Sequence, residues 1–305
     1  MTSGSNSLSR MYHLMKTHKI PSLLSVAECR SWLEQNGWPT REIISGSGSP
    51  TERISSLINF VLTPGMKSLP SYLQDTKHLL QIVESLNDDL KNEQFSSGNM
   101  AWLSLDVVSL YPSMPKELGR TACEKYLKSR NDQTISTSSV LGLLDLCLDN
   151  NYFEFNEELY LQTAGVPIGP CMAPPYACLG MGEFENIAFN DSRYLEEHSP
   201  KIYFWKRFID DVLTLYEGTE EEAEQFVCYL NSLFPGVIRF THTYNKLSIV
   251  FLDVELVFRG QKIDTKLQVK PTNLPMFLDW NSKSSFALQS RYCLFSSFEN
   301  SYNLF

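Results

Sequence analysis

The chain has 305 residues, 43% of them hydrophobic and 20% charged, a balance that excludes disordered or collagen-like sequence and suits one large or two modest domains. No run of eighteen apolar residues occurs, and the start MTSGSNSLSRMYHL lacks the apolar core of a signal peptide, so neither a membrane span nor secretion is expected. The formal net charge of −9 hides a segregation. Residues 1–67 carry seven Lys/Arg against four Asp/Glu, residues 261–291 five against two, and residues 68–260 fourteen against twenty-eight. Basic flanks around an acidic centre suit a protein that grips a polyanion at its ends and holds cations in its middle. The seven cysteines are odd in number and form no C-x-x-C pair, so a reduced, intracellular compartment (nuclear or cytoplasmic) without zinc is expected.

Taken in chain order, ISGSGSP at 44–50 is a loop whose backbone N–H groups can face an anion. Residues 51–63 and 74–91 have helical spacing, separated by a Pro/Gly-containing segment. MAWLSLDVVSLY (100–111) is an apolar, β-branched run broken by Ser104, Asp106 and Ser109, which predicts a buried strand carrying one acid. Pro112 ends it, and a helix follows over PKELGRTACEKYLKS. Residues 137–149 form an amphipathic helix. Residues 151–162 alternate around Asn156-Glu157 as a hairpin, and the loop TAGVPIGPCMAPP then feeds the helix YACLGMGEFENIAF. IYFWKRFIDDVLTLY (202–216) reads as two strands meeting at Ile209-Asp210-Asp211. A helix at 219–234 precedes the strands VIRFTHTY, LSIVFLDVELVF and KIDTKLQV. Helices and strands mix without a βαβ rhythm, so the fold class is α+β with a largely antiparallel sheet.

Three acids carry the chemistry. Asp210 and Asp211 are adjacent and sit between two apolar strands, where burying two like charges is costly unless a cation neutralises them. A solvated hairpin tip is the alternative. Asp106 interrupts an otherwise buried strand, where an ion pair to a basic side chain is the alternative. Together they are the donor set that two-metal phosphoryl transfer requires, and Mg²⁺ needs only a few carboxylates because it retains waters. Tyr111, five residues after Asp106, is placed either to touch a nucleotide sugar or to fill the core.

The ordered segments LDVVSLYPSMP (105–115), QTAGVPIGPCMAPPYACLGMGEFE (162–185), RFIDDVL (207–213) and FLDVEL (251–256) resemble reverse-transcriptase motifs A, B, C and E. Their details resemble the Penelope-like retroelement reverse transcriptases, relatives of telomerase. MYHLMKTHK (11–19), REIISGSGSPT (41–51) and TKLQVKPTN (265–273) extend the similarity. Met15 and Glu42 stand where that family favours Pro, and Ile168 where it usually has Met. The segment DVVSLYPSM also resembles family B DNA polymerases, but the Gly-rich segment and FIDD do not follow that family's later motifs.

The resemblance implies an RNA-directed DNA polymerase that uses an RNA template, a DNA primer, dNTPs and two Mg²⁺ ions, with Mn²⁺ as a substitute. A catalytically decayed or domesticated nucleic-acid-binding relative is the alternative. It implies a right-hand core: fingers at 1–100, a palm at 101–260 with interleaved fingers elements, and a primer-grip extension and minimal thumb at 261–305. A missing thumb or endonuclease segment is expected, as are weak primer–template binding and short products. By position, Asp106, Asp210 and Asp211 would be the catalytic metal ligands. Lys16 and Arg41 would neutralise the triphosphate, and Tyr111 would discriminate the sugar. Gln162, Gly165 and Gly169 would line the nucleotide, Phe251, Leu252 and Asp253 would form the primer grip, and Lys246 would be the general acid for pyrophosphate.

Overall fold

The computed structural model describes residues 8–16, 20–21, 24–91, 100–198, 201–260 and 262–268. At the N-terminal end, strands β1 (Ser9–Met15) and β2 (Thr40–Ser45) flank helix α1 (Val26–Asn36). They pair antiparallel, with Arg10 opposite Ser45 and Leu14 opposite Arg41. Helix α1 begins at a capping box, the Ser25 hydroxyl accepting from the Glu28 N–H while the Glu28 carboxylate accepts from the Ser25 N–H, which satisfies two otherwise orphaned donors. None of these three elements shows a clear period in the sequence. Helix α2 (Glu52–Lys67) runs straight through Pro64 and Gly65, past the end expected at residue 63. Only the last turn follows Pro64, and the Ser68 N–H closes it onto the Pro64 and Gly65 carbonyls. Helix α3 (Thr76–Lys91) follows.

The central sheet begins with β3 (Met100–Val107). The strand expected to reach residue 111 stops at Val107, because Ser109 takes φ +54° and starts a short helical turn, α4 (Leu110–Ser113). Helices α5 (Lys116–Ser129) and α6 (Thr137–Asp149) then pack under the sheet. The hairpin of β4 (Tyr152–Phe155) and β5 (Glu158–Leu161) turns at Asn156 and Glu157 with φ +52° and +66°, the twist-matched turn of two-residue hairpins. It returns to the N-terminal sheet, β4 lying parallel to β1, so the strand order there is β2-β1-β4-β5. Helix α7 (Ala173–Phe189) starts three residues earlier than expected and holds Pro174 and Pro175 in its first turn, where a missing N–H costs nothing. Helix α8 (Ser192–Glu197) links it to β6 (Ile202–Phe208) and β7 (Asp211–Glu217), followed by α9 (Glu220–Leu233) and β8 (Phe240–Asn245). This central sheet has the order β6-β7-β3-β8, and its strand pairs are all antiparallel.

Strand alternation gives this sheet two different faces. Leu103, Leu105 and Val107 point into a large core with residues of α2, α5, α6, α7 and α9. Trp102, Ser104 and Asp106 point the other way. On that side Trp102, Leu213 and Leu215 are covered by a second core. That core is supplied by α3 and by a three-stranded sheet of β9 (Ser248–Phe251), β10 (Val254–Arg259) and β11 (Lys262–Leu267). Asn87 of α3 ties the layer together, its side chain exchanging hydrogen bonds with the Ile263 N–H (2.6 Å) and carbonyl (2.9 Å). The cover stops short of Asp106, which stays exposed at the open end of the same face. The thumb segment expected beyond β11, including KPT at 270–272, lies outside the described residues.

Candidate catalytic cleft

The three acids all lie at the end shared by β3 and the β6–β7 hairpin. Asp106 is directly opposite Asp211 in the β3–β7 ladder, so both side chains lie on the open face, and like charges directly opposite destabilise a sheet. Asp210 occupies the second position of the two-residue turn, and its carbonyl accepts from the Val107 N–H at 3.0 Å. Ile209 before it has φ +58°, a conformation rarely adopted by a β-branched residue. Burial pushes the Asp210 carboxyl above the usual carboxylate range. The Asp106 charge adds to the shift, while a hydrogen bond to its own backbone and the charges of Arg41 and Arg207 oppose it.

A carboxyl cluster held at this cost is chemically suited to a divalent cation. Among the described residues, however, no three His, Cys, Asp or Glu side chains converge as a ready-made metal centre. The set fits Mg²⁺, which is commonly bound by one or two carboxylates together with waters and substrate phosphates. It does not fit a metal needing an all-protein cage.

Three parts of the chain, linked to one another by backbone hydrogen bonds, carry the other expected site residues. Tyr111, on α4, is half-buried at the edge of the large core. Burial raises its hydroxyl pKa well above the ordinary tyrosine value, with smaller effects from Cys178 and Asp210 in the same direction and Arg41 against them. Arg41 is thus within electrostatic reach of both Tyr111 and Asp210. Lys16 follows β1, its N–H bonded to the Pro39 carbonyl at 2.7 Å. The ladder puts it two positions from Arg41's partner, Leu14, and so on the same face as Arg41.

The loop between β5 and α7 links the other two. Its Val166 N–H donates to the Tyr111 carbonyl, and the Ile44 N–H of β2 donates to the Ile168 carbonyl, both at 2.8 Å. Gly165 has φ +68° and Gly169 φ +146°; a Cβ on either would collide with the Pro112 or Ile44 carbonyl oxygen respectively. These two positions require glycine for close backbone approach. Gln162 serves the loop itself, accepting from Asn151 Nδ2 and donating to the Ala164 carbonyl, both at 2.8 Å.

Not every expected residue arrives here. Phe251 is buried and Leu252 half-buried in the second core, while Asp253 is exposed on the β9–β10 turn. All three belong to the layer on the Asp106 face. Lys246 is not brought to the acids. Thr241 is the ladder partner of Asp106 and Asn245 that of Trp102, so Lys246 stands roughly 16 Å further along the strand. It sits near Glu221, whose carboxyl is lowered by its own backbone and by Thr219, with Lys246 adding to the effect. The turn carrying Lys246 thus joins the end of β8 away from Asp106. The basic residue at the near end is Arg239, whose carbonyl accepts from the Val108 N–H at 2.9 Å and whose side chain is exposed. No sequence signal marks Arg239, because the pairing of β8 with the strand of Asp106 is set by the sheet order.

No protein-family model matches the chain, and no curated protein matches it. Solved structures do. Apo telomerase from Candida tropicalis superposes with a TM-score of 0.58 at 10% identity over 96% of this chain and 52% of that one. Telomerase from the same organism in complex with a TWJ fragment of telomeric RNA gives 0.58 at 10% identity, over 95% and 48%. The BmCPV RNA-dependent RNA polymerase at quiescent state gives 0.53 at 10% identity, over 83% and 22%. The chain thus spans about half the length of the telomerase chains it matches. Among the described residues no helix is long and apolar enough to cross a membrane. These superpositions show that the chain has a polymerase-like fold.

Proposed function

We propose that the chain is an RNA-directed DNA polymerase of the Penelope-like type, adding dNTPs to a primer 3′-OH on an RNA template. What supports this reading is the pairing of Asp106 with Asp211 beside the Asp210 turn, with Tyr111 and Arg41 in electrostatic reach of Asp210. Asp106 and Asp210 would hold two Mg²⁺ ions, with Asp211 as the weaker ligand. Bound there, the ions would supply Lewis-acid activation of the 3′-oxygen and charge stabilisation of the departing pyrophosphate.

The remaining roles belong to side chains of the surrounding segments. Arg41 and Lys16, on one face of the β1–β2 hairpin, would neutralise the triphosphate, as Arg and Lys do in phosphoryl transfer. Arg239, at the near end of β8, replaces Lys246 as the basic group available to the leaving phosphate. Tyr111 would stand against the sugar and exclude a 2′-hydroxyl. That point separates a DNA polymerase from an RNA polymerase of the same fold. Gly165 and Gly169 would let the loop backbone lie close under the nucleotide. Phe251 and Leu252 would support the primer-grip turn that ends in Asp253.

Extension of a DNA primer on RNA and on DNA templates, with Mg²⁺ and then Mn²⁺, tests the reading. The expected result is dNTP addition on RNA template that Asp210→Asn abolishes. A purified, folded chain that binds primer–template but adds no nucleotide under either metal would favour a decayed, binding-only relative.

A further inference from the structure

Beneath the Ile209-Asp210 turn lies an ion pair that the chemistry above does not use. Arg207 is 2% and Glu185 6% exposed, and Arg207 Nε lies 2.7 Å from Glu185 Oε1. Glu185 is the lone buried acid of an otherwise apolar stretch of α7. Both of its oxygens are committed: Oε1 also accepts from Trp205 Nε1 at 2.8 Å, and Oε2 from Ser71 Oγ at 2.6 Å and Arg207 Nη2 at 3.3 Å. The rest of the guanidinium reaches the Ser71 hydroxyl (3.4 Å) and two backbone carbonyls. Nη2 donates to the Cys178 carbonyl at 3.2 Å, and Nη1 donates to the Ile209 carbonyl at 3.0 Å. The Arg207 main chain is clamped as well, its N–H on the Ser71 carbonyl (2.7 Å) and its carbonyl accepting from the Leu73 N–H (3.0 Å).

A buried ion pair is weak evidence for stability, because desolvation offsets much of its attraction. This one has a geometric consequence instead. Ile209 adopts φ +58°, and a strained, β-branched residue persists there only where its surroundings over-determine it. Two hydrogen bonds supply that determination: Arg207 Nη1 on the Ile209 carbonyl, and the Val107 N–H on the Asp210 carbonyl. One comes from the buried network and the other from the strand bearing Asp106. The planar guanidinium can span Glu185, Cys178 and Ile209 at once. An ammonium at the same position is a single point charge and cannot.

We propose that Arg207, anchored by Glu185, is a positioning residue that locks the Ile209-Asp210 turn and so fixes where the Asp210 carboxylate stands relative to Asp106. The inference rests on the proposed polymerase reading for its catalytic consequence, but its structural content is independent of it.

The test separates positioning from stability. Arg207→Met alone strands a buried charge on Glu185 and is expected to unfold readily. The double variant Arg207→Met/Glu185→Gln removes both charges while keeping an amide for Trp205 and Ser71. It should melt within a few degrees of the parent. In the double variant, amide hydrogen exchange at Val107 should accelerate about tenfold or more while Leu103, mid-strand, stays protected. Primer extension should lose about 10²-fold in kcat, the scale of a small misplacement of a reacting group, with the KM for dNTP little changed. Arg207→Lys, which retains the charge, should fold and show the same split. Parental Val107 protection together with parental kcat in a folded double variant, or in Arg207→Lys if the double variant does not fold, would overturn the proposal. If the parent itself extends no primer, the polymerase reading fails, and the Val107 exchange still decides the positioning role.

Discussion

Two turns in this chain are nearly the same in local structure and opposite in setting. Ile209-Asp210 joins β6 to β7, and Leu252-Asp253 joins β9 to β10. Each is a two-residue hairpin turn that follows a Phe, and each pairs a positive-φ aliphatic (+58° and +55°) with an aspartate. Around Asp210 the fold assembles a second acid opposite Asp211, a half-buried tyrosine, Arg41 and a buried guanidinium. Asp253 is exposed, and its carbonyl receives the Gln268 N–H at 2.9 Å. The comparison teaches that turn chemistry is local but acid chemistry is not. What makes an aspartate reactive is the desolvation and charge that distant segments bring to it.

The largest contrast should appear in paired neutralisations. Asp210→Asn is expected to abolish primer extension, a loss of at least about 10³-fold and so of several kcal/mol of transition-state stabilisation. Asp253→Asn should change it by less than about twofold. Single-turnover extension rates measure both, and comparable losses would break the comparison. Stability should move the other way. The folded-state pKa of Asp210 is raised, so its ionised form opposes folding above that pKa, and the opposition vanishes as pH falls below the ordinary carboxylate value. Asp210→Asn should therefore melt at or above the parental temperature at pH 7, with the gap closing in acid.

Tyr111 sharpens the same contrast, since it lies within electrostatic reach of Asp210. Tyr111→Ala should raise ribonucleotide use relative to deoxynucleotide by about tenfold or more, since a steric barrier to a hydroxyl is lost. Unchanged selectivity in competitive incorporation would make Tyr111 a packing residue at the edge of the core.

The smallest expected effects compare the two ends of β8. Arg239→Ala should slow extension severalfold, through loss of a cation beside the leaving phosphate. Lys246→Ala should alter it by less than about twofold, because Lys246 lies roughly 16 Å along the strand from the acids. Pre-steady-state rates at saturating dNTP distinguish the two. A larger loss at Lys246 than at Arg239 would reverse the assignment made from the ladder.

Much of this was legible in the residues themselves. The alternation in MAWLSLDVV announces a strand with Asp106 on the face opposite Leu105, and Asn156-Glu157 announces a hairpin. The pattern Phe-Ile-Asp-Asp-Val announces a second hairpin with acids at its tip, and the order of these segments resembles a polymerase. Strands β1 and β2 were hidden, because MYHLM and TREIIS present exposed side chains on both faces over much of their length. They form strands because they pair with each other, with β4 and with the loop at Ile168.

What the sequence by itself determined is local: periodicity, caps, turns and the identity of the acids, all of which depend on neighbours a few residues away. Tertiary structure alone decided which aspartate is buried against another, that Arg41 reaches Asp210, that Arg207 finds Glu185 on another element, and that Arg239 rather than Lys246 ends near the acids. Those outcomes depend on strand order and register. A two-residue turn carries no information about which strand will lie beside it, because that choice is made by the burial of whole faces.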